Sequence, residues 1–302
     1  MALVQPTGVP HVHLLDAGLQ GAPEYTGVYL LDTERPAIVE TGFSYSVPRI
    51  LEGFKALGVE PQAVRYIVPT HVHMDHAGGV GGLAKACPNA EVLVYEAAAQ
   101  YLVDPSHLVQ SVARAVGALF ERYGEMVPIP EERLQTVQGG ETLELGPEFS
   151  LEVVHAPGHA PHQFCPFVPQ QRALFVADAC GINRVATGRL LPTTPPPAFL
   201  LGESLETLNT LQALRPKTLL FTHYGAFEQP DLLGAYAELL AGWVSQVERA
   251  WDTLKEADAV RRHFVRKLSP TLEGHYDPVM VKQEIEMNTT GVLLYLKRQR
   301  KR

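Results

Sequence analysis

Four metal-type residues fall within six positions in Thr70-His71-Val72-His73-Met74-Asp75-His76. Three more, His159, Asp178 and His223, each follow an apolar run further along the chain. Imidazoles and carboxylates together are the donors that borderline divalent ions take. On a strand, His71 and His73 would share a face, because side chains alternate with a period of two. Asp75 and His76 would point to a second centre if the chain turned there, and Ala77-Gly78-Gly79 lets a backbone turn tightly. The local pattern suits two adjacent metals, one on His71 and His73 and the other on Asp75 and His76.

Rigid elements must stand behind such donors. Val64 to Val68 is a β-branched apolar run that leads straight into the His-rich segment. Leu151-Glu-Val-Val-His-Ala-Pro-Gly-His159, Leu174-Phe-Val-Ala-Asp178 and Leu219-Leu-Phe-Thr-His223 follow the same logic, a strand ending in a donor. Strands are also expected at Gly27 to Leu31, Pro36 to Glu40 and Glu91 to Tyr95, and a helix over Val47 to Leu57 that Gly58 ends. The stretch from about 97 to 133 reads as helical, either a structural cap or a lid over a substrate pocket. A helix is expected around Leu205 to Leu214, and a long amphipathic one from Leu232 to Leu254. The face of that long helix carrying Trp243 and Trp251 suits either packing on the main domain or a homodimer interface. Gly291 to Leu296 reads as a final strand, and the basic run 297–302 as a frayed, solvated terminus.

With 302 residues, 46% of them hydrophobic and 19% charged, the chain is long enough and apolar enough for a large core. A net charge of -8 argues against a nucleic-acid backbone as partner. Three cysteines, Cys87, Cys165 and Cys180, fit no Cys-x-x-Cys site, which suggests a reduced, cytoplasmic setting. No signal peptide is expected, and no apolar run reaches the roughly 18 residues of a membrane span. The partner expected is a small-molecule substrate.

The combination resembles the metallo-β-lactamase-fold superfamily, in particular its branch of glyoxalase II and related lactonases. His-x-His-x-Asp-His stands at residues 71–76, Pro-Gly-His at 157–159, and Asp178 and His223 match the remaining aspartate and histidine. The resemblance implies an α/β (α+β) fold, a four-layer αβ/βα sandwich, with a catalytic domain at 1–228 and a mainly helical extension at 229–302 packed on it. It further implies one metal on His71, His73 and His159, a second on Asp75, His76 and His223, and Asp178 bridging them. Two divalent ions, zinc first and iron or manganese as alternatives, would lie about 3.5–4 Å apart and share a hydroxide. That hydroxide would attack a thioester, lactone or other ester, with Asp75 orienting it or moving its proton.

Glu40-Thr41-Gly42 departs from the family's Asp-Thr-Gly, whose aspartate supports the metal histidines; a glutamate would need a shifted backbone to do so. The residues with which glyoxalase II holds glutathione are not evident. Arg184 and Arg189 would meet an acidic substrate or lie on the surface, and Tyr224 is a candidate for substrate contact. His155 and His162 flank a ligand and would serve as support or pocket residues. Cys180 reads as simply buried, and His11 with His13 as a strand pair without metal. Competing functions on the same scaffold are a mononuclear iron persulfide dioxygenase and, further off, a nuclease.

Overall fold

The computed structural model describes residues 2–19, 22–272 and 274–301. The chain divides into two compact units. The first comprises Met1–Ala156, His162–Ala177 and Leu214–Pro230; the second comprises Pro157–Pro161, Asp178–Ala213 and Asp231–Arg302.

The first unit holds two sheets. Seven strands run in chain order across one of them: β1 (Val4–Pro6), β2 (Val12–Asp16), β3 (Gly27–Leu31), β4 (Ala37–Val39), β5 (Tyr66–Val68), β6 (Glu91–Tyr95) and β7 (Leu134–Val137). The first four pair antiparallel and β4 to β7 parallel. The other sheet uses β8 (Thr142–Gly146), β9 (Phe149–His155), β10 (Phe164–Val168), β11 (Ala173–Phe175), β14 (Thr218–Leu220) and β15 (Ala226–Phe227). In the second unit, β12 (Ile182–Arg184) and β13 (Arg189–Leu191) form a separate hairpin.

The strand period of two sorts side chains between two cores. In β5, Tyr66 and Val68 join a core shared by both sheets, with Leu31, Leu151, Phe164 and Phe175. Ile67 points the other way, into a core with Ile50 and Phe54 of α1 (Val47–Leu57). Each such aliphatic side chain contributes about 1.5–3 kcal/mol when fully buried. Helix α1 has the expected bounds, and Gly58 ends it in the left-handed region, φ 71°. Next come α2 (Met74–Ala77) and α3 (Val80–Ala86). The insertion at 97–133 contains α4 (Ala99–Val103), α5 (Ser106–Val116) and short 3-10 helices.

The second unit is built on α6 (Leu201–Ala213), α7 (Leu232–Leu254), α8 (Ala257–Leu268) and α9 (Pro278–Gln299). Helix α7 buries Tyr236, Leu240, Trp243 and Val247, and the Trp243 ring meets Phe264 of α8 edge-on at 4.7 Å.

Two expectations are corrected in this unit. Gly291 to Leu296 is helical, the C-terminal half of α9, because the helix is nucleated upstream. Asp277 caps it, accepting from the amides of Val279 and Met280, and Pro278 sits in its first turn. Through Lys301 the basic tail is solvated, as expected, but tied down rather than frayed: Arg298 donates to the carbonyls of Pro197 and Phe199, and Arg300 pairs with Asp252 at 2.9 Å. Among the described residues no helix is long and apolar enough to cross a membrane.

Candidate metal centre

Parallel pairing of β4 with β5 brings their C-terminal ends side by side. Glu40 follows one end and Thr70-His71 the other. Glu40 is almost wholly buried, at 1% exposure, and holds φ 70°. A left-handed non-glycine residue costs about 1–3 kcal/mol and persists where its surroundings fix it. What fixes Glu40 is its carboxylate. Oε1 accepts from Thr70 Oγ1 at 2.6 Å, His76 Nδ1 at 2.9 Å and Thr222 Oγ1 at 2.9 Å, and Oε2 from the Thr70 amide at 3.3 Å. Glu40 therefore supports His76 directly, from a left-handed backbone.

Bonding through Nδ1 turns Nε2 of His76 toward Asp75. That nitrogen lies 3.7 Å from Asp75 Oδ2, and Nε2 of His223 lies 3.8 Å from the same oxygen. These separations exceed a hydrogen bond, yet one donor atom from each of the three residues falls within 4.8 Å of the others. Three converging donors, two imidazoles and a carboxylate, suit one divalent ion.

His71 sits beside them. Its Nε2 is 2.9 Å from Nδ1 of His73, and its ring centroid is 4.0 Å from that of His76. Thr70 Oγ1 has one proton, which the carboxylate of Glu40 takes. Its lone pair accepts from Nδ1 of His71 at 3.1 Å. The result is a relay from histidine through hydroxyl to carboxylate.

Local structure here differs from a strand carrying His71 and His73 on one face. Both lie in the loop between β5 and α2, and Asp75 and His76 lie on α2. Thr41 secures that short helix, since its amide and hydroxyl both donate to the His76 carbonyl, at 2.9 and 2.6 Å. Gly79 serves close approach rather than a tight turn: a Cβ there would stand 2.3 Å from the Thr41 carbonyl oxygen.

His223 follows β14 in a loop tied to the first sheet. The Thr222 carbonyl accepts from the Gly27 amide at 2.7 Å, and Tyr29 Oη contacts the carbonyls of Phe221 and Gly225 at 2.8 and 2.9 Å. Burial, with Tyr224 and Glu40 nearby, holds the Tyr29 phenol well above its ordinary pKa, so it remains a donor. His162 is half-buried, its ring 6.2 Å from His71 and 6.3 Å from His73. His155 stacks on Tyr95 at 4.5 Å.

In the second unit, His159 and Asp178 are both buried, with Nε2 and Oδ2 3.2 Å apart. Thr193 Oγ1 lies 3.4 Å from His159 Nδ1 and 3.4 Å from Asp178 Oδ2. Gly158 precedes His159 with φ 119°, and a Cβ there would meet Ser204 of α6 at 2.4 Å.

The remaining candidates occupy other surroundings. Arg184 is buried, ion-paired to Glu284 of α9, with its guanidinium 5.0 Å over the Tyr276 ring. Arg189 is exposed. Tyr224 is buried at φ 88°. Burial first, then Asp16 and Glu24, raises its pKa. Of the histidine pair near the N-terminus, His13 lies in β2 and His11 in the preceding turn at φ 61°. Cys180 is buried, as are Cys87 and Cys165.

Thr70 and Thr193 went unread as functional in the sequence. Thr70 has a signal, its place between a strand and a histidine. Thr193 has none, standing among prolines far from both residues it touches.

Comparison with known proteins is consistent with this geometry. A sequence profile described as the metallo-beta-lactamase superfamily matches residues 22–223. The chain is 29% identical over 219 residues to the metallo-beta-lactamase fold-containing protein ST1585 of Sulfurisphaera tokodaii, covering 71% of this chain and 78% of that one. The crystal structure of ST1585 superposes with a TM-score of 0.70 and 25% identity, over 93% of this chain and 98% of the other. The N-acyl homoserine lactonase AttM of Agrobacterium fabrum is 26% identical over 167 residues, 55% of this chain and 57% of the lactonase. Diflavin flavoprotein A 1 of Synechocystis is 26% identical over 170 residues, 56% of this chain but only 26% of the flavoprotein.

Proposed function

Because this chain belongs to the metallo-β-lactamase superfamily and has its mixed α/β fold with a helical C-terminal region, we propose that it is a binuclear metal-dependent hydrolase of small thioesters, lactones or other esters. Superfamily members are largely metal-dependent hydrolases. The observation that carries the reading is the convergence of Asp75, His76 and His223, with His76 oriented by Glu40. A carboxylate behind a ligating imidazole fixes its tautomer and raises its basicity.

By the order of the motifs, His71, His73 and His159 would hold one ion and Asp75, His76 and His223 the other, with Asp178 shared. The nitrogen and oxygen donor set fits zinc, and fits iron or manganese as well. When bound, a divalent metal supplies a Lewis acid for a carbonyl and lowers the pKa of water toward neutrality. The chain's own residues then do the positioning. Glu40 and Thr70 keep Nδ1 of His76 and His71 engaged, so that their Nε2 atoms present lone pairs. Asp75, on the short helix α2, orients the attacking water and receives its proton. An ester-type substrate is supported by the likeness to a lactonase. Buried thiols without a disulfide among the described residues suit a cytoplasmic setting.

The test is metal content per chain by plasma mass spectrometry on protein expressed without added metal, followed by a panel of an aryl ester, a γ-lactone and an acyl thioester. About two equivalents and metal-dependent hydrolysis of one panel member are expected. One equivalent of iron with oxygen uptake on a persulfide would replace this reading with the dioxygenase. No metal and no turnover would end both.

A further inference from the structure

Resting on that reading of His159 and Asp178, we propose that Thr193 is a positioning residue for both, and that the C-terminal helices α7 and α9 hold it in place.

The hydroxyl of Thr193 has one proton and free lone pairs, and it faces two groups of opposite need. Asp178 Oδ2 at 3.4 Å accepts that proton, which leaves a lone pair of the hydroxyl to face His159 Nδ1 at 3.4 Å. One hydroxyl satisfies both: it accepts from the imidazole and donates to the carboxylate. Nε2 of His159 lies 3.2 Å from Asp178 Oδ2, and engaging Nδ1 through the hydroxyl would keep Nε2 available to a metal ion. Thr193 is separated by 34 positions from His159 and by 15 from Asp178, so it is the fold and not the local chain that brings the three together.

What brings it there is the proline-rich loop at 192–197 and the helices that grip it. The Thr193 amide donates to Tyr236 Oη of α7 at 3.2 Å. Burial raises the pKa of that phenol, while the Thr193 amide acts in the opposite direction. Thr194 is latched from two helices. Its amide donates to Asn288 Oδ1 of α9 at 2.5 Å, and its hydroxyl donates to the Asn288 carbonyl at 2.8 Å while accepting from Trp243 Nε1 of α7 at 3.2 Å. Gly291 of α9 lets the helix press on the loop: a Cβ there would fall 1.8 Å from the Thr194 carbonyl oxygen. Arg298 of α9 closes the far end by donating to Pro197 and Phe199 carbonyls. The amide and hydroxyl of Thr194 are thus both committed to helices, which fixes the backbone on which Thr193 stands.

The experiment compares Thr193→Val with Thr193→Ser in the full chain. Zinc affinity is read by competition with a chromophoric chelator, and kcat and KM are read on whichever ester the wild type turns over. Valine keeps the shape and removes the hydroxyl; serine restores it. Both contacts are long, so the expected loss for valine is at the low end of the 10–100-fold typical of a group behind a ligand, about 10-fold in affinity, with kcat lowered more than KM. Serine stays within about 2-fold of wild type. Asn288→Ala tests the latch and should weaken zinc binding by about 3-fold with the circular dichroism unchanged. Wild-type affinity in Thr193→Val, or equal losses in valine and serine variants that are both folded, would overturn the proposal. A wild-type chain that binds no zinc would overturn the metal-centre reading itself, a separate outcome seen before any variant is made.

Discussion

His71 and His159 stand against threonine hydroxyls in two different ways. In the first unit Thr70 is the residue before His71, at the end of β5, and its acceptor Glu40 ends the adjacent parallel strand. Contacts there are short, 2.6 and 3.1 Å. In the second unit Thr193 comes from a loop held by helices, and its contacts are both 3.4 Å. A sheet places neighbouring strand ends within bonding reach as a consequence of its pairing, so little else is needed. A loop has no such register and must be gripped from outside, which is why Tyr236, Trp243, Asn288, Gly291 and Arg298 converge on six residues of chain. The same chemical device is compact where the scaffold is regular and extended where it is not.

The sharpest break in this comparison comes from the donors themselves. His76→Ala and Asp75→Ala should each abolish hydrolysis to background and remove about one metal equivalent, read by mass spectrometry; full activity in either would dismiss the site. Glu40→Ala comes next. It strands four buried donors at once, so a loss of about 3 kcal/mol in unfolding free energy and up to about 100-fold in metal affinity is expected, measured by denaturant titration and chelator competition. Thr70→Val should weaken metal binding more than Thr193→Val, because its bonds are shorter; the reverse order would mean that the looped support matters more than the sheet-built one. Tyr29→Phe removes only the brace on the His223 loop and should cost about 1 kcal/mol, with kcat within about 3-fold. The smallest effect concerns the thiols. Burial pushes Cys87 up to about 11, so at pH 8 it is a neutral, inaccessible thiol and should resist a disulfide reagent until the chain is unfolded.

Much of this was legible in the sequence because the chain repeats one rule: an apolar strand, then a donor. His71, His159, Asp178 and His223 all obey it, and β5, β9, β11 and β14 precede them. Glu40 was harder, since its side chain reaches His76 only through a left-handed backbone, and sequence alone does not disclose φ at a glutamate. The second half of α9 was misread because Val292-Leu-Leu-Tyr-Leu is a short apolar run, and such runs fit a strand as well as a buried helix. The deciding signal lay upstream, in Asp277-Pro278. Thr193 was illegible for a different reason: its meaning comes from partners 15 and 34 positions away, and no periodicity encodes those.

Gly291 has a consequence for anyone who would rebuild this protein. A chain trimmed after the last donor, near residue 228, would retain Glu40, Asp75, His76 and His223 but would lose every helix that grips the Thr193 loop. The C-terminal helices are therefore not a detachable module. A chimaera that replaced these helices without Tyr236, Trp243, Asn288 and Gly291 could fold well and still leave Thr193 unsupported. Changes at the end of α9 face the same constraint, because Arg298 and Arg300 are already engaged there. An N-terminal handle leaves that clamp untouched.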